Sequence, residues 1–343
     1  MRAILVSGPN KFDLVEIPRP QCGPGQVVIR TAYCGVCGTD LSILRGTISA
    51  AFVRYPIVPG HEWTGVVVEV GSGVTNCAVN SRVSVEGYLN CGVCAHCQRG
   101  ETNLCENHEQ IGLTENGGFA EYVVAPAKSC HLVPDAMGLD EAILVEPAAT
   151  IVRGIEREPP ESGFKAAVLG CGPMGQIALR VLALYRPSHV LAIDLSEHQR
   201  SMAMRAGATS FASTSDVSVL AQMSGADGWD VVVDCAGGIR AVQTAFGIVR
   251  RGGRIVAIGG APDDNYVSLP ANIFLMKDLH IDGVVGYTTN SWIRTLGLLT
   301  SGRLRLAHLI THRLQLGEFQ DAVRLLVSRT EPLGKVIVSL SDR

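Results

Sequence analysis

AAVLGCGPMGQIALRVLALYRPSHVLAID, residues 166–194, is the stretch that decides the fold. Its opening AAVL is apolar at every position, as a strand covered on both faces requires. Gly170, Gly172 and Gly175 follow with G-x-G-x-x-G spacing, and an apolar helix is expected from about Met174 to Tyr185. HVLAID reads as a second buried strand, ending on Asp194, 19 residues after Gly175. A strand, a glycine turn, a helix, a strand and a terminal acid in this order form the dinucleotide-binding half of a doubly wound parallel sheet. Glycine lets the backbone turn tightly and approach a pyrophosphate, whose charge the helix N-terminus favours. Gly170, Gly172, Pro173, Met174 and Gly175 are therefore the expected cofactor-binding residues of the turn. Asp194 would accept hydrogen bonds from the adenosine ribose and repel a 2′-phosphate, which favours NAD over NADP. The run from Ala166 to Tyr185 has the length of a membrane span, but its glycines and Arg180 fit the strand–turn–helix reading better.

The alternation continues downstream. EHQRSMAMRAG reads as a helix, and SFAS, WDVVVDCAG, RIVAIGG and LHIDGVVGY read as further strands. Cys235, Ala236, Ile258 and Gly259, at the ends of these strands, lie where the rest of a dinucleotide would run. Upstream the pattern differs. RAILVS, FDLVEIP, QVVIRTAY, GVVVEVG, RVSVEG and FAEYVV are short, rich in valine and isoleucine, and bounded by turn residues. The expected organisation is an α/β chain with a β-rich domain over 1–150, a dinucleotide domain over 151–290 and a tail over 291–343. The tail offers two helices, SWIRTLGLLTSG and GEFQDAVRLLVSR, and a last strand, KVIVSL, expected to return to the first domain.

Within the β-rich part, residues 88–115 form an excursion. Cys91, Cys94, Cys97 and Cys105 stand there with the spacing C-x2-C-x2-C-x7-C. Four thiolates so close together can close a tetrahedral zinc site with no open position, which is structural in kind. A two-disulfide knot is disfavoured because the opening MRAILVSGPNKF has too short an apolar run to be expected as a secretory signal and the cysteines number 11, an odd count. An iron–sulfur site would have a shorter last gap and a following proline, where this chain has Glu106.

A second constellation is Cys37-Gly38-Thr39-Asp40 with Gly60-His61-Glu62. A thiolate, an imidazole and a carboxylate can hold zinc while leaving a position for water or substrate. Together with the cysteine lobe and the glycine turn, these residues resemble the zinc-dependent medium-chain alcohol and polyol dehydrogenases across nearly the whole chain. The resemblance implies a GroES-like catalytic domain joined to a Rossmann domain, with NAD and two zinc ions per subunit. It assigns Cys37, His61 and Glu62 to the catalytic zinc and places Glu146, in VEPAAT, where simple alcohol dehydrogenases have a third ligand cysteine. Glutamate there is typical of the sorbitol and threonine dehydrogenase branches. Thr39 matches the hydroxyl that takes the substrate proton, Asp40 the acid that orients the ligand histidine, and Thr150 a residue packing near the nicotinamide.

The substrate implied is a secondary alcohol of a polyol, sugar or aminocyclitol, with L-threonine or a simple secondary alcohol as the alternative. Arg45, Trp63, Glu115 and Tyr287 are candidate pocket residues. A silent dinucleotide-binding protein on the same scaffold is the rival of another class, though such drift would be expected to lose the open zinc ligands. With 29 Lys and Arg against 32 Asp and Glu, there is no basic excess for nucleic acid or an acidic membrane. The expected protein is cytoplasmic, and a homodimer or homotetramer joined through the region of VSLP and LHIDGVV.

Overall fold

The computed structural model describes residues 1–225, 227–260, 266–328 and 330–340. The stretch 166–194 folds as a buried strand, Lys165–Leu169, a turn, a helix, Pro173–Ala183, and a second strand, His189–Ile193. Ala166 and Val168 pack into one apolar cluster while Ala167 and Leu169 pack into another, so the strand is covered on both faces. Pro173 begins the helix, where its missing N–H costs nothing. The helix ends at Ala183, two residues before the expected Tyr185.

Six parallel strands make this sheet, in the order Ser210–Ala212, His189–Ile193, Lys165–Leu169, Trp229–Asp234, Val249–Ala257, His280–Gly283. The first strand in sequence thus lies in the middle, and chain progression reverses beside it. Leu169 is in register with both Ile193 and Asp234, so the crevice opens at their carboxyl ends.

The other large sheet has seven strands. Its main path runs Ile310–Gln315, Lys335–Ser339, Gln26–Val36, Glu62–Val70, Arg82–Val85, Cys130–Leu132, and Tyr122–Pro126 pairs with Gln26–Val36 from the side. The strand Lys335–Ser339 lies antiparallel to Gln26–Val36, with Val336 opposite Val36. Val336, Val338 and Phe319 accordingly share one apolar cluster with Val27, Ile29 and Trp63. The expected tail helix GEFQDAVRLLVSR is Phe319–Ser328, and its last residue, Arg329, lies outside the described residues.

Several elements differ from the sequence reading. The boundary expected at residue 150 falls inside a continuous helix, Val145–Glu156, in which only Arg153 and Glu156 are not buried. A helix buried nearly all round shows no polar face, so its periodicity is hidden. It packs against the helix Thr289–Thr300 and ends against Arg254, which is 6% exposed. The Arg254 guanidinium donates to the carbonyls of Gly154 (2.7 Å), Ile155 (3.2 Å) and Glu158, and to the Asp282 carboxylate (2.7 Å). A short helix, Gly38–Arg45, interrupts the strand-rich first domain. The strand Ile310–Gln315 was not expected at all. Only Ile310 is buried in it, and its polar ITHRLQ sequence gives little strand signal.

Candidate active site

Cys37 caps the helix Gly38–Arg45. Its N–H donates to the Asp40 carboxylate (2.9 Å), and its sulfur accepts from the Thr39 N–H (3.3 Å). The thiol therefore lies at a helix N-terminus, where a thiolate is favoured. His61 follows Gly60, whose φ of +101° and contacts permit no side chain: a Cβ there would meet the Cys34 sulfur at 2.6 Å. This turn brings His61 Nε2 to 3.4 Å from Cys37 Sγ. Both Glu62 oxygens accept from Lys335 Nζ, at 2.7 and 2.5 Å. The donor atoms of Cys37, His61 and Glu62 lie within 4.8 Å of one another.

Glu146, in the first turn of Val145–Glu156, is also buried. Burial, reinforced by the Glu62 and Asp40 carboxylates and opposed by His61 and Lys335, pushes its carboxyl up to about 7. Burial pulls His61 down, but the Cys37 sulfur, Asp40 and Glu146 overcome it and hold the imidazole well above its usual range. Burial pushes the Cys37 thiol up, only partly relieved by His61.

Three carboxylates and a thiol thus crowd around one ammonium and one imidazole with little water to screen them. A divalent cation resolves that imbalance. Tetrahedral zinc bonded at ~2.3 Å to sulfur and ~2.0 Å to nitrogen separates the two donors by about 3.5 Å, so the Cys37–His61 pair fits. Asp40 does not reach the imidazole. His61 Nδ1 and Asp40 Oδ1 are both buried without a hydrogen-bond partner, and Asp40 instead holds the Cys37 backbone.

In the lobe, Cys91, Cys94, Cys97 and Cys105 bring their sulfurs within 4.8 Å of one another, with Cys91–Cys97 at 3.9 Å and Cys94–Cys105 at 4.0 Å. Zinc–sulfur bonds of ~2.3 Å in a tetrahedron require about 3.8 Å. Backbone N–H groups of Val93 and Cys94 lower the Cys91 thiol to about 6, towards the thiolate a metal needs.

Between the domains runs a cavity of about 540 Å³. Cys37, Glu62 and Lys335 line one part of it, and Gly170, Gly172, Pro173, Met174, Gly175 and Asp194 another. Gly170 has φ +82°, and a Cβ on Gly175 would meet the Gly170 carbonyl oxygen at 1.8 Å, so the turn admits only glycine there. The Asp194 carboxylate accepts from the Cys171 N–H (2.7 Å) and the Ser196 N–H (2.8 Å), which fixes it beside the turn. Cys235 lines the cavity, whereas Thr39, Thr150 and Ile258 are not among the described residues that do. Thr39 sits one residue beyond the lining Gly38, Thr150 is buried in Val145–Glu156, and Ile258 is tied by its N–H to the Asp234 carbonyl (2.9 Å).

The candidate pocket residues divide. Trp63 is 1% exposed and belongs to the first-domain core, so it does not face the cleft. Neighbours along a strand point to opposite faces, and Glu62 takes the cleft side. Arg45 and Glu115 are exposed, with no side-chain bond to the metal cluster. Tyr287 is buried, and its hydroxyl accepts from the Gly87 N–H at 2.7 Å. Sequence reading missed Tyr88, whose ring meets Tyr287 edge-on at 5.2 Å. Burial, with Glu146 adding and Arg153 opposing, pushes the Tyr88 phenol up to about 12. Its place in EGYLNC, directly before the cysteine lobe, was the available signal.

Residues 23–135 match the alcohol dehydrogenase GroES-like domain, and residues 173–301 match the zinc-binding dehydrogenase domain. An L-threonine 3-dehydrogenase of Serratia proteamaculans is 31% identical over 95% of both chains. An alcohol dehydrogenase of Escherichia coli CFT073, solved with NADH, superposes with a TM-score of 0.91 at 27% identity, covering 99% of each chain. The 2R,3R-butanediol dehydrogenase of Bacillus subtilis gives 0.88 at 27% identity, again over 99% of each chain. With two metal-fitting donor sets, a glycine turn closed by a fixed acid and relatives that match from end to end, the chain belongs to the zinc-dependent medium-chain dehydrogenases, enzymes of zinc and a nicotinamide dinucleotide.

Proposed function

We propose that this dehydrogenase acts on a secondary alcohol, or the matching ketone, of a polyol, sugar or aminocyclitol, with NAD preferred over NADP. The observation that carries the reading is an acid-rich cluster: the donor atoms of Cys37, His61 and Glu62 lie within 4.8 Å of one another, and buried Glu146 is close enough for its charge to act on His61 and Glu62. Those residues would hold zinc, and Cys91, Cys94, Cys97 and Cys105 would hold the second ion. Zinc supplies a Lewis acid that lowers the pKa of an alcohol, and the nicotinamide supplies the hydride acceptor. Thr39 takes the hydroxyl proton. Gly170, Gly172 and Gly175 admit the pyrophosphate, and Asp194 receives the ribose. Tyr88 offers a phenol to a substituent next to the reacting carbon, which suits a substrate rich in hydroxyl or amino groups.

L-threonine is the second reading, supported by relatives named for that substrate. A catalytically silent protein is disfavoured because the open donor set is retained. We also propose a homo-oligomer. The edge strand His280–Gly283 is mostly exposed: its Ile281 is 42% exposed, and Phe274, Leu275 and Met276, in the helix just before it, present apolar surface at 47, 80 and 60% exposure. Unpaired edges of this kind join readily to a second copy. Eleven cysteines suit a reducing compartment such as the cytoplasm.

The test is an absorbance assay at the reduced-nicotinamide band. NAD or NADP is offered with polyols, sugars, cyclitols, aminocyclitols, threonine and simple secondary alcohols, with and without a zinc chelator. NAD-linked, chelator-sensitive oxidation of a polyhydroxy substrate is expected. Oxidation of threonine alone would replace the proposed substrate class with the second reading, and zinc-loaded protein that fails to bind NADH would overturn the assignment of the dinucleotide site.

A further inference from the structure

Glu86 is buried, at 3% exposure, yet it belongs to neither donor set and does not line the dinucleotide cavity. One of its oxygens is 2.6 Å from His131 Nε2, within its own domain. The other accepts from Thr289 Oγ1 at 3.0 Å. Thr289 opens the helix Thr289–Thr300, which follows the edge strand of the dinucleotide sheet. A buried carboxylate costs several kcal/mol unless it is well partnered, so a packing role alone would favour an apolar side chain. The return on that cost is directional: two fixed bonds, one on each side of the domain boundary.

The next residue extends the bridge to the reacting centre. The Gly87 N–H donates to the Tyr287 hydroxyl at 2.7 Å. A Cβ on Gly87 would lie 3.5 Å from the His61 carbonyl oxygen and 3.6 Å from His61 Cβ. Glu86-Gly87 therefore touches a proposed zinc ligand on one side and the segment Tyr287–Thr289 on the other. The cysteine lobe grips the same segment through the Thr289 N–H to Thr102 Oγ1 (3.2 Å), and the residues just before it through Asn103 Nδ2 to the Val285 carbonyl (2.8 Å).

We propose that Glu86 is a positioning residue for hydride transfer, pinning the dinucleotide domain at Thr289 so that the nicotinamide meets the substrate held beside His61. In that transfer the carbinol C–H bond breaks, its electron pair passes with the hydrogen to the nicotinamide C4, and the hydroxyl proton leaves through Thr39, giving ketone and reduced cofactor. The proposal rests on the assigned zinc and dinucleotide sites but on no particular substrate. A misplacement of ~1 Å can cost on the order of 100-fold in rate.

The variants are Glu86→Gln, Thr289→Val and Thr289→Ser, each compared with the wild-type holoenzyme on the best alcohol of the panel, unlabelled and deuterated at the carbinol carbon. Glu86→Gln and Thr289→Val are expected to keep zinc content, melting temperature and NADH affinity while kcat falls about 10- to 100-fold and its isotope effect rises. Thr289→Ser, which keeps the hydroxyl, restores both. Wild-type kcat and isotope effect in Thr289→Val would overturn the proposal, as would a kcat loss that merely tracks NADH affinity or melting. If Glu86→Gln does not fold, the Thr289 pair decides alone. If the wild type oxidises nothing in the panel, it is the substrate reading that has failed. Hydrogen exchange of the NADH-bound protein then decides: faster exchange over residues 86–88 and 285–291 in Thr289→Val but not Thr289→Ser supports the pin, and equal exchange overturns it.

Discussion

At Cys37 one sulfur faces both the N-terminus of Gly38–Arg45 and the imidazole of His61. Serine keeps the cap but is a poor partner for zinc, so Cys37→Ser separates the two duties. It is expected to lose one of two zinc ions and at least ~100-fold in turnover, with NADH affinity retained. Metal analysis with NADH fluorescence titration checks this, and joint loss of NADH binding would speak against separate sites. Lys335 is tested differently. Its ammonium is 2% exposed and holds both oxygens of Glu62. In metal-stripped protein, Lys335→Met leaves that carboxylate buried without its cation, at an expected loss of about 3–5 kcal/mol in denaturant unfolding. Groups defined by chemical type and spacing, such as the four lobe cysteines and the turn glycines, were legible in the sequence as residues that the fold brings together. Trp63 was misread because the residue after Glu62 on a strand points to the opposite face, away from the cleft and into the core. The Lys335–Glu62 pair spans 273 positions, and no local pattern announces it.

Helix Val145–Glu156 shows what pattern reading loses at the next scale. Its burial erases the amphipathic signal, and the chain passes between domains inside it rather than through a polar linker. Its C-terminal carbonyls depend on Arg254. Arg254→Met keeps most of the volume but strips those carbonyls and Asp282 of their donor. The expected cost is about 3 kcal/mol, read as a lower denaturant midpoint with little change in slope. The central parallel strands Lys165–Leu169, His189–Ile193 and Trp229–Asp234 were legible because each carries a short apolar run ending at a turn. The strand Ile310–Gln315 was not, because it takes its place from pairing with Lys335–Ser339 and buries only Ile310.

Across the whole molecule, the exposed apolar edge around His280–Gly283 makes assembly testable. Leu275→Glu places a charge on the most exposed of its apolar side chains, at 80% exposure. Light scattering is expected to show a smaller assembly than the wild type, with the zinc content of each chain intact. An unchanged mass would move the interface elsewhere. The first domain carries a different consequence. Its sheet is completed by Lys335–Ser339, near the end of the chain, and that strand delivers the ammonium that faces Glu62. A polypeptide emerging from the ribosome N-terminus first thus exposes Cys37, His61 and Glu62 long before their neighbour exists. The parallel sheet, whose six strands all lie in between, can form the apolar cluster on one of its faces while the Val36 end of strand Gln26–Val36 is still unpaired on one side. Maturation of the site therefore waits for the synthesis of Lys335–Ser339, which begins 273 residues after Glu62.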